Sequence, residues 1–186
     1  MKKLGVSLIA IVFLIAIFAI SGYNNLVTKQ ENVESKLANL DVMLQRRTDL
    51  IPNLVNTVKG FTNHENEIIE KITDARAKLV NAGTIKEKSS ANNELTGALN
   101  ALMVVVENYP DLKTSSNYIQ LSDELAGTEN RIAVARKDYN DAVKLLNTSI
   151  KRFPNNIFAN IFGIESAVYF EADESSREVP VVDFNK

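Results

Sequence analysis

Residues 45–61 read QRRTDLIPNLVNTVKGF, and their apolar side chains recur at alternating intervals of three and four residues. The repeat extends toward the N-terminus, and its positions are Val33, Leu37, Leu40, Leu44, Arg47, Ile51, Leu54, Val58 and Phe61. A repeat of about 3.5 residues is typical of a helix that packs against other helices. Arg47 lies on this apolar face, where a permanently charged guanidinium needs a partner or a path to water. The stretch therefore predicts a long bundle helix with one polar position on its packed face.

The composition excludes several functional classes. The chain has 186 residues, no cysteine, a single histidine (His64) and a formal net charge of −2. Without cysteine it cannot form disulfides or use a thiolate nucleophile, and one histidine cannot supply a histidine-rich metal site. A nucleic-acid-binding surface needs a dense basic patch, which the sequence lacks. We therefore expect no cofactor and no nucleic-acid partner.

The N-terminal segment is strongly apolar. Residues 4–20 are apolar apart from Gly5 and Ser7, and two lysines precede them. About 17 such residues are at the short end of a membrane-spanning helix. We therefore expect a single-pass anchor over residues 1–22. Because basic flanks stay in the cytoplasm, the N-terminus should be cytoplasmic and the rest of the chain should lie outside the cytoplasm. Alternatively, the segment is a signal peptide cut before Gly22, which would make the chain a secreted helical protein.

The remainder predicts four helices and no sheet. They are expected over residues 23–60, from Thr62 to Gly83, over residues 86–108 and over residues 116–153. Thr62 and Glu65 have the spacing of a capping box for the second helix. Pro52 is expected to kink or interrupt the first helix, and Pro110 to separate the third from the fourth.

Helix lengths and connections predict the architecture. Short connections make successive helices antiparallel, so we expect an all-α chain with an antiparallel four-helix bundle. At 1.5 Å per residue, the first and fourth helices are each about 55 Å long and the other two about 30–35 Å. The expected domains are the anchor (1–22), the bundle (23–154) and an aromatic segment with a polar tail (155–186). The aromatic segment should begin near the membrane, because the fourth helix returns to it.

The chain resembles the LemA family of bacterial membrane-anchored helical proteins. The motifs that carry the resemblance include Tyr23-Asn24, Gln45-Arg46-Arg47, DLIPNLV at residues 49–55, Val58-Lys59-Gly60, Tyr109-Pro110-Asp111, Thr128-Glu129-Asn130, Ala135-Arg136 and Phe153-Pro154. They occur in order over nearly the whole chain. The resemblance implies a single-pass membrane protein with a mostly helical antiparallel domain, and it implies no particular enzymatic activity.

The sequence offers no catalytic arrangement. A di-metal site in a four-helix bundle needs Glu-x-x-His on two helices. Phe61 stands three residues before His64, and there is no second histidine. A metal held by carboxylates such as Glu107 or Glu129 is the enzymatic alternative, as an enzyme or an enzyme subunit. We expect a protein that is not an enzyme.

Charged residues on different helices form the main candidate site. They are Arg47, Asp49, Glu65, Arg76, Glu107, Glu129 and Arg136, and Asp138 could join them. In one interpretation they form ion pairs between helices that fix the register of the bundle. In the other, some are unpaired and receive a partner protein or an anionic ligand.

Phe158 and Phe162 are candidates for a membrane-proximal contact. They either fold back over the apolar flank of the helices or rest at the membrane interface. With the anchor, these features predict a membrane-anchored, non-catalytic helical scaffold or protein-interaction module. Its expected partners are other membrane or envelope proteins, with self-association as a further option.

Overall fold

The described part of the chain consists of helices and irregular connecting segments and contains no strand. The computed structural model describes residues 2–62 and 64–171. Within these ranges, side chains are described at residues 9, 13 and 14 and from residue 16 onward. The helices are α1 (Lys2–Lys59), α2 (Asn66–Asn81), α3 (Ile85–Val106), α4 (Pro110–Lys113), α5 (Ser116–Lys151) and α6 (Asn155–Phe162). The expected all-α class is confirmed. Residues 172–186, which make up the expected polar tail, lie outside the described residues.

The expected anchor is part of α1. Within the described residues, none of the helices combines the length and the apolar character that a membrane crossing requires. The anchor over residues 1–22 therefore stays a prediction.

The expected helices are present, with two additions and one difference. Pro110 and the three residues after it form the short helix α4, because proline is well suited to the first helical position. Residues 155–162 form α6, which ends at Gly163 in the left-handed conformation, with φ of 67°. Pro52 does not interrupt α1, which continues to Lys59. Of the two expected alternatives, a kink or a break at Pro52, the break is absent.

The capping box was expected at the wrong helix. Glu65 precedes α2 without a capping hydrogen bond from its side chain. Its carboxylate instead accepts a hydrogen bond of 2.8 Å from the Tyr109 hydroxyl. The capping box lies at α3, where the Thr84 hydroxyl accepts from the Glu87 backbone N–H and the Glu87 carboxylate accepts from the Thr84 N–H. Both segments match the pattern Thr-x-x-Glu, so the sequence pattern alone does not distinguish them.

The chain divides into two compact units. The first comprises Met1–Asn39 and Lys137–Tyr169, and the second comprises Leu40–Arg136 and Phe170–Lys186. Two of the boundaries fall inside α1 and α5, and the third lies between Tyr169 and Phe170, after α6. The domains expected from the sequence stay a prediction.

The first unit contains the early part of α1, the end of α5, and α6. Its buried apolar residues include Leu26, Val33, Tyr139, Val143 and Leu146. The segment after α6 runs back along α5, where the Asn147 side chain exchanges two 2.9 Å hydrogen bonds with the backbone of Ala167. The Tyr139 hydroxyl donates to the Val168 carbonyl at 2.7 Å. These bonds satisfy backbone groups that have no secondary-structure partner.

The second unit has a core drawn from α1, α2, α3 and α5. Its buried apolar residues include Leu44, Ile51, Leu54 and Val58 from α1, Ile72 and Leu79 from α2, Leu95 and Leu102 from α3, Ile132 from α5, and Phe170. The expected packed face of α1 is confirmed at these positions. Phe61 was expected on that face but is exposed, because α1 ends two residues before it. Phe153 is also exposed, because α5 ends at Lys151.

Candidate functional site

Arg47 is the most deeply buried charged residue among the described residues of the second unit. Only 3% of its surface is exposed. Its Nη1 atom donates a hydrogen bond of 2.8 Å to Asn92 Oδ1 on α3 and lies 2.8 Å from Glu129 Oε2 on α5. The guanidinium therefore joins three helices, α1, α3 and α5. This geometry agrees with the interpretation in which the charges fix helix register.

Glu129 balances the charge of Arg47 without an aligned hydrogen bond. Its Oε2 atom is buried and accepts no hydrogen bond from any described residue, although the ion-pair distance to Arg47 is short. Burial lowers the pKa of the Arg47 guanidinium, and the nearby Glu129 carboxylate partly restores it. Arginine stays charged in proteins, so the pair supplies a compensated buried charge.

A largely apolar cleft of about 160 Å³ borders this ion pair. Leu99, Leu102 and Met103 line it from α3, and Tyr118 and Leu125 from α5. The cleft explains why Leu125 is only partly buried. It also gives Glu129, whose side chain is 42% exposed, a path to solvent.

Arg76 serves a different purpose from Arg47. Its Nε–H donates a hydrogen bond of 2.8 Å to the backbone carbonyl of Thr48 on α1. In a regular helix that carbonyl would accept from the N–H four residues later, but residue 52 is proline and has none. Thr48 is buried, so its carbonyl needs another donor. Arg76 on α2 therefore provides the hydrogen-bond donor that α1 lacks at Pro52.

The other candidate residues do not form an arginine–carboxylate network. Asp49 accepts from Gln45 on its own helix at 2.8 Å, and Glu107 pairs with Lys113 at 2.5 Å. Glu65 bonds to Tyr109. Arg136 is half-buried and forms no ion pair with a described carboxylate. Among the sequence candidates in the second unit, the only arginine–carboxylate pair in the described residues is Arg47–Glu129.

Asp138 and the candidate phenylalanines belong to the first unit. Asp138 pairs with Lys36 at 3.4 Å. Phe158 packs against α1 at Gly22, where a Cβ atom would lie 2.6 Å from two carbons of the phenyl ring. The Phe162 ring lies 4.5 Å from the Tyr23 ring between centroids. These contacts agree with the interpretation in which the aromatic segment folds back onto the helices.

Two contributors to the site were absent from the sequence expectations. Asn92 continues the repeat of Leu95, Leu99 and Leu102 one step toward the N-terminus of α3, so its position on an apolar face was a usable signal. Thr48 contributes only its backbone carbonyl. The sequence could have shown that this carbonyl needs a donor from outside α1, because the residue four positions later is proline. The described residues contain no group of three histidine or acidic side chains that could hold a metal ion.

Comparisons with known proteins identify the family of this chain. The model of the LemA family matches residues 36–184. Magnetosome protein MamQ 2 of Paramagnetospirillum magneticum is 30% identical over 95% of this chain and 74% of its own length. MamQ of Magnetospirillum gryphiswaldense is 27% identical over 86% of this chain and 68% of its own length. Protein LemA of Metamycoplasma hominis is 30% identical over 83% of this chain and 71% of its own length. These names denote no enzymatic activity, and the chain belongs to the LemA family.

Proposed function

We propose that this chain is a single-pass membrane protein and a non-catalytic helical scaffold or interaction module for other membrane or envelope proteins. Its N-terminus lies in the cytoplasm, and the helices after the anchor lie outside the bacterial inner membrane. The basic residues before the apolar segment support this orientation.

The exposed apolar surface of α1 carries the proposal. Ile9, Phe13, Leu14, Ile17, Phe18 and Ile20 each expose at least half of their surface. At 100° per residue they spread over about 180° of the helix, which is wider than the stripe of roughly 100° that packing against one neighbour requires. A lipid environment can cover such a surface from all sides. The apolar character of residues 4–20 completes the argument for an anchor.

The contacts of Arg47 and Arg76 support a non-catalytic role. Arg47 and Arg76 are engaged by groups of the same chain, at Glu129, Asn92 and Thr48. Such interactions hold helices in register and leave no activated nucleophile or general base among the candidate residues. Arg136 is the candidate residue best placed to receive a carboxylate from a partner.

Cross-linking in intact cells tests the interaction role. We expect the full chain to cross-link to other membrane or envelope proteins. The substitution Arg136→Glu should reduce the yield of the main product about tenfold, because a repelled contact costs at least about 1.4 kcal/mol. Arg46→Glu is the matched control, since Arg46 is an exposed arginine of the same unit, 3.9 Å from Glu124.

Two outcomes would contradict this proposal. Products that contain only copies of this chain would indicate a self-assembling structural role. Equal losses from the two substitutions would show that Arg136 is not a specific contact.

A further inference from the structure

The short helix α6 has two apolar sides, and α1 covers only one of them. Phe158 faces Gly22 on α1 and lies 6.2 Å from the Phe18 ring between centroids. Ala159 is buried. Ile157 and Ile161 are four residues apart and therefore lie on one face of α6. Ile157 is 45% exposed and Ile161 is 68% exposed, so this second face is uncovered in the structure.

The covered side of α6 packs on α1 at the end of the apolar stretch. Phe158 contacts α1 at Phe18 and Gly22, which is where the apolar stretch of residues 4–20 ends. If that stretch occupies the hydrocarbon core, then Gly22 and the helix packed on it lie at the boundary between hydrocarbon and headgroups. A short apolar helix at that depth buries its outer face in lipid.

The charges next to α6 suit an anionic lipid surface. Lys151 and Arg152 directly precede the turn into α6, and both are exposed. Residues 151–164 contain no acidic side chain, so the segment carries two positive charges. Each basic residue near an anionic bilayer contributes about 1 kcal/mol to binding. Phe153, which is 80% exposed, lies between these charges and α6.

We propose that α6 is a second membrane attachment that lies in the headgroup region of the bilayer. Phe153, Ile157 and Ile161 enter the lipid, and Lys151 and Arg152 contact the phosphate groups. Phe158 instead holds α6 on α1. The inference rests on the proposed function, because the anchor brings α6 to the surface. It assigns the lipid contact to residues that the sequence did not single out.

Tryptophan fluorescence tests this assignment directly, because the chain contains no tryptophan. The full-length variant Ile161→Trp is placed in phosphatidylcholine vesicles that hold roughly one-third phosphatidylglycerol, with bromine near the top of the lipid acyl chains. We expect bromine to quench its fluorescence about twofold. Lys137→Trp is the control, because it is equally exposed in the same unit and lies about 21 Å along α5 from Lys151. The control should not be quenched.

A second variant tests the charges. Replacing both Lys151 and Arg152 with glutamine in the Ile161→Trp chain should reduce quenching in anionic vesicles to the level seen in phosphatidylcholine alone. Unchanged quenching would contradict the role of these two residues. Circular dichroism at 222 nm confirms that each variant keeps its helices.

The outcomes separate this inference from the anchor. If the chain stays with the vesicles but the fluorescence of the Ile161→Trp variant is not quenched, the anchor stands and the α6 proposal is wrong. Unquenched fluorescence that shifts to shorter wavelength as protein concentration rises would show that a second copy covers the face instead. If the chain leaves the vesicles altogether, both proposals fail.

Discussion

Replacing Glu129 with glutamine is expected to lower the free energy of unfolding by about 3 kcal/mol, because it leaves the buried guanidinium of Arg47 without a counter-charge. Removing one partner of a fully buried ion pair costs about 3–5 kcal/mol, and the partial exposure of Glu129 argues for the lower end. Urea titration of the full chain in detergent, followed by circular dichroism at 222 nm, measures the effect. The midpoint should fall by about 1–2 M.

Glu124 provides a closely matched control on the same helix. The side chains of Glu124 and Glu129 are 40% and 42% exposed, and each pairs with one arginine of α1. The two pairs differ in the burial of the arginine, because the side chain of Arg46 is 52% exposed and that of Arg47 only 4%, and in distance, which is 3.9 Å for Arg46–Glu124 and 2.8 Å for Arg47–Glu129. Glu124→Gln should therefore cost less than about 1 kcal/mol. Equal shifts of the urea midpoint for the two variants would contradict the structural role of Arg47 and would favour a role of Arg47 in ligand binding.

A double substitution separates the charge of Arg47 from its packing. In the Glu129→Gln chain, Arg47→Leu removes the uncompensated charge and should restore part of the lost stability. The recovery should be incomplete, because the buried Asn92 side chain then loses a hydrogen bond, which costs about 1–3 kcal/mol.

The second large effect is expected at Arg76 and depends on Pro52. Arg76→Met keeps most of the aliphatic stem but leaves the buried carbonyl of Thr48 without its donor, which should cost about 2 kcal/mol. Pro52→Ala restores the N–H within α1, so it should stabilise the chain by about 1–3 kcal/mol. In the Pro52→Ala background, Arg76→Met should cost less than about 1 kcal/mol.

A double-mutant cycle of urea midpoints measures this coupling. Arg136→Met is the control, since Arg136 is also half-buried but forms no ion pair with a described carboxylate. It should change stability by less than about 0.5 kcal/mol. Additive effects of Pro52→Ala and Arg76→Met would show that the arginine does not replace the missing donor.

The apolar repeats predicted the helices but not the partners of their polar residues. The repeat through Leu44, Ile51, Leu54 and Val58 is local, and burial follows from it directly. Which carboxylate meets Arg47 depends on the relative rotation and height of α1 and α5. The rotation and height of these helices are set by packing over many residues. The sequence therefore provided a short list of carboxylates that could pair with Arg47 but did not identify Glu129 among them.

The ends of the helices were harder to predict than their middles. Thr62 and Thr84 each begin a Thr-x-x-Glu pattern, and only Thr84 forms the capping box. The Tyr109 hydroxyl, which approaches from a distant part of the sequence, engages both Thr62 and Glu65. Tertiary hydrogen bonds of this kind override a local capping preference.

The fate of residues 1–22 tests the central claim of a membrane-anchored protein most directly. Membranes from cells that express the full chain are washed at alkaline pH, and the mass of the retained chain is measured. We expect the chain to remain in the washed membranes with these residues intact, because the apolar segment of residues 4–20 spans the bilayer. A soluble chain that begins at Gly22 would contradict the account, because it would identify the segment as a cleaved signal peptide.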